Sequence, residues 1–166
     1  VDGQGIGSND RLIALEFPYG NSSIVIICTY FLVSNGLKGP NIDLLLLIKA
    51  YSNGGRKAVI VMGDFNVAPS PLDIGIGEIN SKRWLKEGKT AFLPEEINMW
   101  NSIKELGFID SWREQNPDES SIYSWFDYRS RMFDDTPKRG LRIDHIMISK
   151  NLLPSMQKTG IDYEAR

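Results

Sequence analysis

One short segment constrains this chain more than any other: the apolar run at residues 57–62, Lys-Ala-Val-Ile-Val-Met, which passes directly into Gly63-Asp64-Phe65-Asn66. The run is too short for a helix, is rich in β-branched residues and does not alternate, so it predicts a strand buried on both faces. Polar side chains at its end then stand at the rim of a covered sheet, where open α/β sheets place their chemistry.

The flanking segments interleave strands with helices. Residues 11–17 and 23–31 are β-branched and aromatic, and Pro18-Tyr19-Gly20-Asn21 between them predicts a hairpin. Pro40 and Asn41 open a helix whose Leu44, Leu47, Ile48 and Tyr51 recur at i, i+3, i+4, i+7, and Asn53-Gly54-Gly55 closes it. Residues 67–92 read as a long surface loop with one short helix near residues 81–87, and a loop of that length in a compact domain is usually functional. Pro94-Glu95-Glu96 starts a second helix that runs to about Leu106. Phe108-Ile109-Asp110 leads into a short turn, residues 123–128 form an aromatic strand or strand end, and residues 141–149 form a strand with Asp144 in its middle. No repeat or linker interrupts the 166 residues, so a single layered α/β domain is expected.

Composition excludes several classes. With 42% hydrophobic and 24% charged residues the chain is an ordinary globular domain. Its longest apolar run, residues 44–48, falls far short of the roughly 20 residues of a bilayer span, so no membrane partner is expected. The N-terminus has neither an initiator Met nor a charged-then-apolar leader, and it reads as cut rather than begun. Cys28, the one cysteine, rules out an internal disulfide, fits a reducing compartment and reads as a small core residue. The net charge of −2 announces no polyanion partner. Local clusters do more: Lys82, Arg83, Lys86 and Lys89, then Arg129, Arg131, Lys138, Arg139 and Arg142, form either solvated faces or a phosphate-tracking surface.

Asp64 and Asn66, two residues apart, point the same way from an extended backbone. A carboxylate there holds a hard cation or orients water, and the amide donates to a phosphate oxygen; a plain Asp-x-Asn turn capping the strand is the alternative. Asp144 interrupts an apolar strand, so its charge calls for an imidazole, a cation, several N–H donors, or Arg142 two residues away. His145 alternates to the opposite face and reads as a half-exposed strand residue. Residues 123–130, Tyr-Ser-Trp-Phe-Asp-Tyr-Arg-Ser, offer flat surfaces that could wedge against a sugar lacking its base, or pack in a core. Tyr30 ends a strand and could hydrogen-bond near a phosphate. The spaced glycines at 3, 5 and 7 do not make a dinucleotide site, and no zinc cluster or Ser/His/Asp set can be assembled.

Gly63-Asp64-Phe65-Asn66, Leu72-Asp73-Ile74-Gly75-Ile76-Gly77-Glu78, Phe92-Leu93-Pro94-Glu95-Glu96, Ser124-Trp125-Phe126-Asp127-Tyr128-Arg129-Ser130 and Gly140-Leu141-Arg142-Ile143-Asp144 together resemble the exonuclease III family of apurinic/apyrimidinic endonucleases, in that family's order. The resemblance covers residues 11–166. It implies a DNase I-like, four-layered α/β sandwich, incomplete here, with residues 1–166 as the C-terminal portion of one endonuclease/exonuclease/phosphatase domain truncated at both ends. It implies Asp64 as catalytic acid/base beside the metal, Asn66 on the scissile phosphate, Tyr30 as the tyrosine after the strand, Asp144 as the aspartate that orients a histidine, and Trp125 in the abasic-nucleotide pocket. Asp64 and Asn66 are the expected metal-site residues, for Mg²⁺ or Mn²⁺. Trp125, Phe126, Arg129, Arg142, Lys82 and Arg83 are the expected DNA contacts. The chain departs from the family in stopping before a Ser-Asp-His motif, in lacking the upstream metal glutamate and asparagine, and in reading Cys28-Thr29-Tyr30-Phe31-Leu32-Val33-Ser34 where Asn-x-Tyr-x-Pro-x-Gly is usual.

The implied activity is Mg²⁺-dependent hydrolysis of phosphodiester bonds at abasic sites and 3′ ends of duplex DNA, by a monomer, in a bacterial-type cytoplasm. The alternatives are a phosphoesterase of the same superfamily acting on phosphoinositides or sphingolipids, and a non-catalytic DNA-binding remnant. The piece by itself is expected to be inactive and marginally stable, because a sandwich missing strands exposes edges and apolar faces.

Overall fold

A computed structural model describes residues 4–9, 12–31, 40–52 and 57–164. Arg11, residues 32–39 and the expected Asn53-Gly54-Gly55 helix stop lie outside the described residues. The apolar run becomes the central strand β4 (Ala58–Asp64). On one side it pairs in parallel with β3 (Ser22–Tyr30), and α1 (Pro40–Ser52) supplies the crossover that a parallel pair requires. Strand β2 (Leu12–Tyr19) forms the expected antiparallel hairpin with β3, but Pro18 and Tyr19 extend the strand and the turn falls at Gly20-Asn21. Strand β1 (Gln4–Asn9) adds at the edge. On the other side of β4, β6 (Asp144–Ser149) runs antiparallel, followed by the short β5 (Phe108–Asp110). Among the described residues the sheet has six strands in the order β1-β2-β3-β4-β6-β5.

Alternation sorts the strands into two faces. Leu12, Ala14, Val25, Ile27, Val59, Val61 and Met147 point inward, where α1 covers them with Leu44 and Ile48, and α3 (Pro94–Glu105) with Met99, Trp100 and Ile103. Glu96 fixes the start of α3 by accepting from the backbone N–H groups of Ala91 and Leu93 at 2.9 and 2.8 Å. The outward residues are apolar too, and the pairing aligns them in rows: Ile13, Cys28, Met62 and Ile146 in one, Leu15, Ile26, Ile60 and Ile148 in the next. Ile13 and Ile146 are 52% and 43% exposed and Cys28 is exposed, while Ile148 is 6% exposed, so among the described residues this face is open along the first row and partly covered along the second. Two expectations change here. β4 is buried on one face and half-buried on the other, and Cys28 is on the open face rather than in the core. A sheet with helices on one side supplies two layers of the expected sandwich.

Residues 67–92 are more ordered than their composition suggests. The expected short helix is α2 (Glu78–Lys86), preceded by a 3-10 turn at Pro71–Asp73. Ile76, Ala91 and Phe92 join Tyr123, Phe126, Met132, Leu141 and Ile143 in a second core beside the sheet. Gly75 faces the Tyr123 ring so closely that a Cβ would sit 2.0 Å from it. Residues 123–128 form no strand; Trp125 makes a single bridge to Leu141. A short helix, α4 (Ser111–Gln115), follows β5 where a turn was expected, and β6 begins at Asp144 instead of carrying it mid-strand.

Candidate active site

At the end of β4 the registers bring three predicted residues into one cross-strand row. Tyr30 of β3 is the partner of Asp64, and Asp64 is the partner of Asp144 of β6. All three have outward parity, since Thr29 and His145 beside them are buried. Directly opposed antiparallel residues have Cβ atoms about 4.5–5.5 Å apart, so the two carboxylates meet. Gly63 makes the row possible: its φ is +141° and a Cβ would lie 1.9 Å from the Thr29 carbonyl oxygen.

Asn66 converges on the same place by a route the sequence does not reveal. The chain leaves the extended conformation, with Asn66 at φ +48°, a left-handed geometry that asparagine tolerates. Its backbone N–H donates to Asp64 Oδ1 at 2.8 Å, and its side-chain Nδ2 donates to the Phe31 carbonyl at 2.9 Å. Burial pushes the Asp64 carboxyl above its ordinary value; the Asn66 N–H pulls it back and the Asp144 charge raises it further. A carboxylate under that strain favours a proton or a cation.

Asp144 needs no buried partner, because it is exposed at the start of β6. Its backbone N–H and that of Ile143 both donate to Ser124 Oγ at 3.0 Å, which ties the aromatic segment to the row. Trp125 is half-buried, edge-on to Trp84 of α2 at 6.2 Å between ring centroids, and Trp84 stacks on Phe92. Lys82 and Arg83 are exposed on α2, Lys82 paired with Glu78 at 2.6 Å, and Arg129 is exposed beside Tyr128. Trp84 is the member of this group that sequence reasoning missed, although a tryptophan within a basic helix was the available signal.

Three predicted residues are placed elsewhere. Arg142 is 1% exposed and cannot meet DNA: its Nε donates to Asp73 Oδ1 at 2.7 Å, and its Nη2 to Asp110 Oδ2 at 2.7 Å. It therefore does not pair with Asp144. Phe126, 3% exposed, packs in the second core against Tyr123, Phe133 and Tyr163 rather than offering a DNA contact. His145 is fully buried, not half-exposed, with Nδ1 2.9 Å from Arg142 Nη1 and Nε2 2.7 Å from the Val67 carbonyl. Burial alone would raise the carboxyls of Asp73 and Asp110. The bonds and charge of Arg142 outweigh it at Asp73, helped by Ser70 and Arg113, and the Asp110 carboxyl, bonded by the same guanidinium, likewise lies below the ordinary carboxylate range. Neither aspartate declared this role in the sequence.

The donor set suits a hard cation in part. Mg²⁺ is commonly held by one or two carboxylates and keeps several waters, which Asp64 and Asp144 can satisfy. Among the described residues no group of three or more His, Cys, Asp or Glu forms a fuller cage. A separate open cleft of about 520 Å³, lined by Lys49, Glu105, Phe108 and Lys150 among others, lies at the opposite end of the sheet. It is roughly 20 Å from Asp64 along β4.

Residues 6–166 match the Endonuclease/Exonuclease/phosphatase family. The chain belongs to that family. Within it, the chain is 49% identical over 108 residues to exodeoxyribonuclease III of Haemophilus influenzae, covering 65% of this chain and 40% of that protein. It is 30% identical to the DNA repair nuclease APEX1 of Danio rerio, covering 92% of this chain and 48% of the relative. The chain thus spans less than half the length of these two relatives. Among solved structures, the 3′ phosphatase NExo from Neisseria, bound to product DNA hairpin, superposes with a TM-score of 0.62 at 28% identity, covering 86% of this chain and 53% of that one. The AP endonuclease LMAP from Leishmania major shares the fold with a TM-score of 0.70 at 20% identity, covering 90% and 49%. The exonuclease III resemblance and the fold class read from the sequence are borne out.

Proposed function

We propose that the full-length protein is a Mg²⁺-dependent DNA repair nuclease of the exonuclease III type, hydrolysing phosphodiester bonds at abasic sites and 3′ ends of duplex DNA. The observation that carries this reading is the Tyr30–Asp64–Asp144 row, with Asn66 folded back onto it. It is supported by the 49% identity over 108 residues to an exodeoxyribonuclease III.

In this mechanism Asp64 and Asp144 would hold the cation, Mg²⁺ or Mn²⁺, in place of the expected pair Asp64 and Asn66, since the Asn66 amide donates to the Phe31 carbonyl; the cation would neutralise charge developing on the phosphate. Asp64 accepts the proton of the water that attacks phosphorus. Tyr30, 49% exposed beside it, donates toward a phosphate oxygen, and the Asn66 turn sets the position of both carboxylate and phosphate. Trp125 lines the space beside a sugar lacking its base, and Lys82, Arg83 and Arg129 follow the backbone phosphates without reading sequence. The protein acts as a cytoplasmic monomer on duplex DNA.

The test is cleavage of an abasic duplex, a 3′-recessed duplex and a phosphoinositide by the full-length protein, with Mg²⁺ and with EDTA. Metal-dependent cleavage of the DNA substrates, abolished in Asp64→Asn with DNA binding kept, is expected. Turnover of the lipid alone, or undiminished cleavage by Asp64→Asn, would overturn the reading.

A further inference from the structure

His145, the only histidine of the chain, lies beneath the carboxylate row, and nothing in the mechanism above uses it. Its hydrogen bonds determine its tautomer. The guanidinium of Arg142 has only donors, so the Nδ1 atom 2.9 Å from Arg142 Nη1 must accept. The Val67 carbonyl has only acceptor capacity, so the Nε2 atom 2.7 Å from it must carry the proton. Asp110 does not compete: its Oδ2 is 3.7 Å from Nδ1, and its oxygens already accept from Arg142 and from the Arg113 N–H. Phe65 and Trp100 pack against the imidazole at 5.5 and 4.3 Å between centroids and fix its plane.

The carbonyl so held belongs to the residue after Asn66. Asn66 is in a left-handed conformation, and the turn stays there only if its flanks are fixed. On one flank stand the bonds to Asp64 and Phe31; on the other, the His145 bond and the Ala68 N–H to Ala91 carbonyl bond. His145 is also the backbone neighbour of Asp144 and the cross-strand partner of Gly63. It therefore links the strand carrying one carboxylate to the turn after the other. We propose that His145 is a positioning residue: oriented by Arg142 with its Nε2–H on the Val67 carbonyl, it fixes that carbonyl and through it the Asn66 turn. The effect on turnover rests on the nuclease reading; the effect on the Asn66 turn does not.

The test uses the full-length protein in two measurements. Long-range ¹H–¹⁵N NMR of the imidazole is expected to report the Nε2–H tautomer with its proton bonded to a carbonyl; the Nδ1–H tautomer overturns the proposal. His145→Leu removes both bonds with little change of volume, and His145→Gln can again offer an N–H to Val67 and an oxygen to Arg142. In the Leu variant the Asn66 backbone and side-chain amides are expected to shift and exchange faster. Turnover of abasic DNA is expected to fall about 10- to 100-fold in kcat, as for other residues that orient a site from behind, with KM little changed. The Gln variant is expected to recover both. If the Leu variant does not fold, the tautomer and the Gln variant decide, recovery of the Asn66 amides and kcat supporting the proposal and their loss overturning it. Unchanged Asn66 amides and kcat in a folded Leu variant, or equal loss in the two variants, overturn the proposal. A wild-type protein that cleaves no DNA rejects the nuclease reading instead, and the Asn66 amides still decide the positioning role.

Discussion

Gly63 is the residue at which fold and site depend on each other most directly. A methyl group there meets the Thr29 carbonyl, a backbone atom of the paired strand, so relief requires parting β3 from β4 beneath Tyr30 and Asp64. Gly63→Ala is expected to lower stability by at least about 2 kcal/mol, read from the denaturant midpoint, because the strain falls on backbone and not on a movable side chain. Arg142 sets a second residue-scale expectation. Removing its guanidinium leaves Asp73 and Asp110 buried without their main countercharge, and Arg142→Met is expected to cost roughly 3–5 kcal/mol. Acid should act on the same cluster. Both carboxyls have folded pKa values below their unfolded ones, so the folded state binds fewer protons; their stabilisation is complete above the unfolded value and drains as pH falls through the folded values. Stability measured by denaturation is therefore expected to decline below about pH 4, and the decline should shrink in Arg142→Met.

At the scale of elements, α2 and the aromatic segment tied to Asp144 by Ser124 form one flank of the site. If Lys82 and Arg83 follow the phosphates, Lys82→Ala with Arg83→Ala is expected to weaken DNA binding equally for intact and abasic duplexes. The slope of log affinity against log salt concentration should drop by up to about 2. Trp125→Ala should instead reduce the preference for abasic DNA and leave that slope unchanged. The sequence made the strands and helices legible where local signals were strong: the unbroken apolar run of β4, the periodicity of α1 and the Pro-Glu-Glu start of α3. It made the Asp64–Asp144 meeting legible too, through motif resemblance. It misjudged the side chains whose fate depends on long-range partners. Arg142 and His145 look like strand surface until Asp73 and Asp110, distant in sequence, close around them. Cys28 and Met62 look like core because their neighbours are apolar, yet the helices cover only the other face. The 67–92 segment looked like loop because its second core is assembled from residues 68–143 with no local period.

At the scale of the molecule, the open sheet face governs how these 166 residues behave on their own. Rows of Ile13, Leu15, Ile26, Cys28, Ile60, Met62 and Ile146 form a contiguous apolar surface of the kind that drives association. The chain expressed alone is expected to self-associate in sedimentation and to bind a hydrophobic dye, and Met62→Lys with Ile26→Lys should reduce both. The same face leads up to the carboxylate row, so whatever covers it also walls the site. The central claim, that Asp64 and Asp144 share one cation, is most directly tested by titrating the full-length protein with Mn²⁺ and reading paramagnetic broadening of amide resonances. Broadening centred on Tyr30, Asp64 and Asp144, displaced by Mg²⁺ and lost in Asp64→Asn, is the expected result. Broadening centred elsewhere, or none at all, would contradict it.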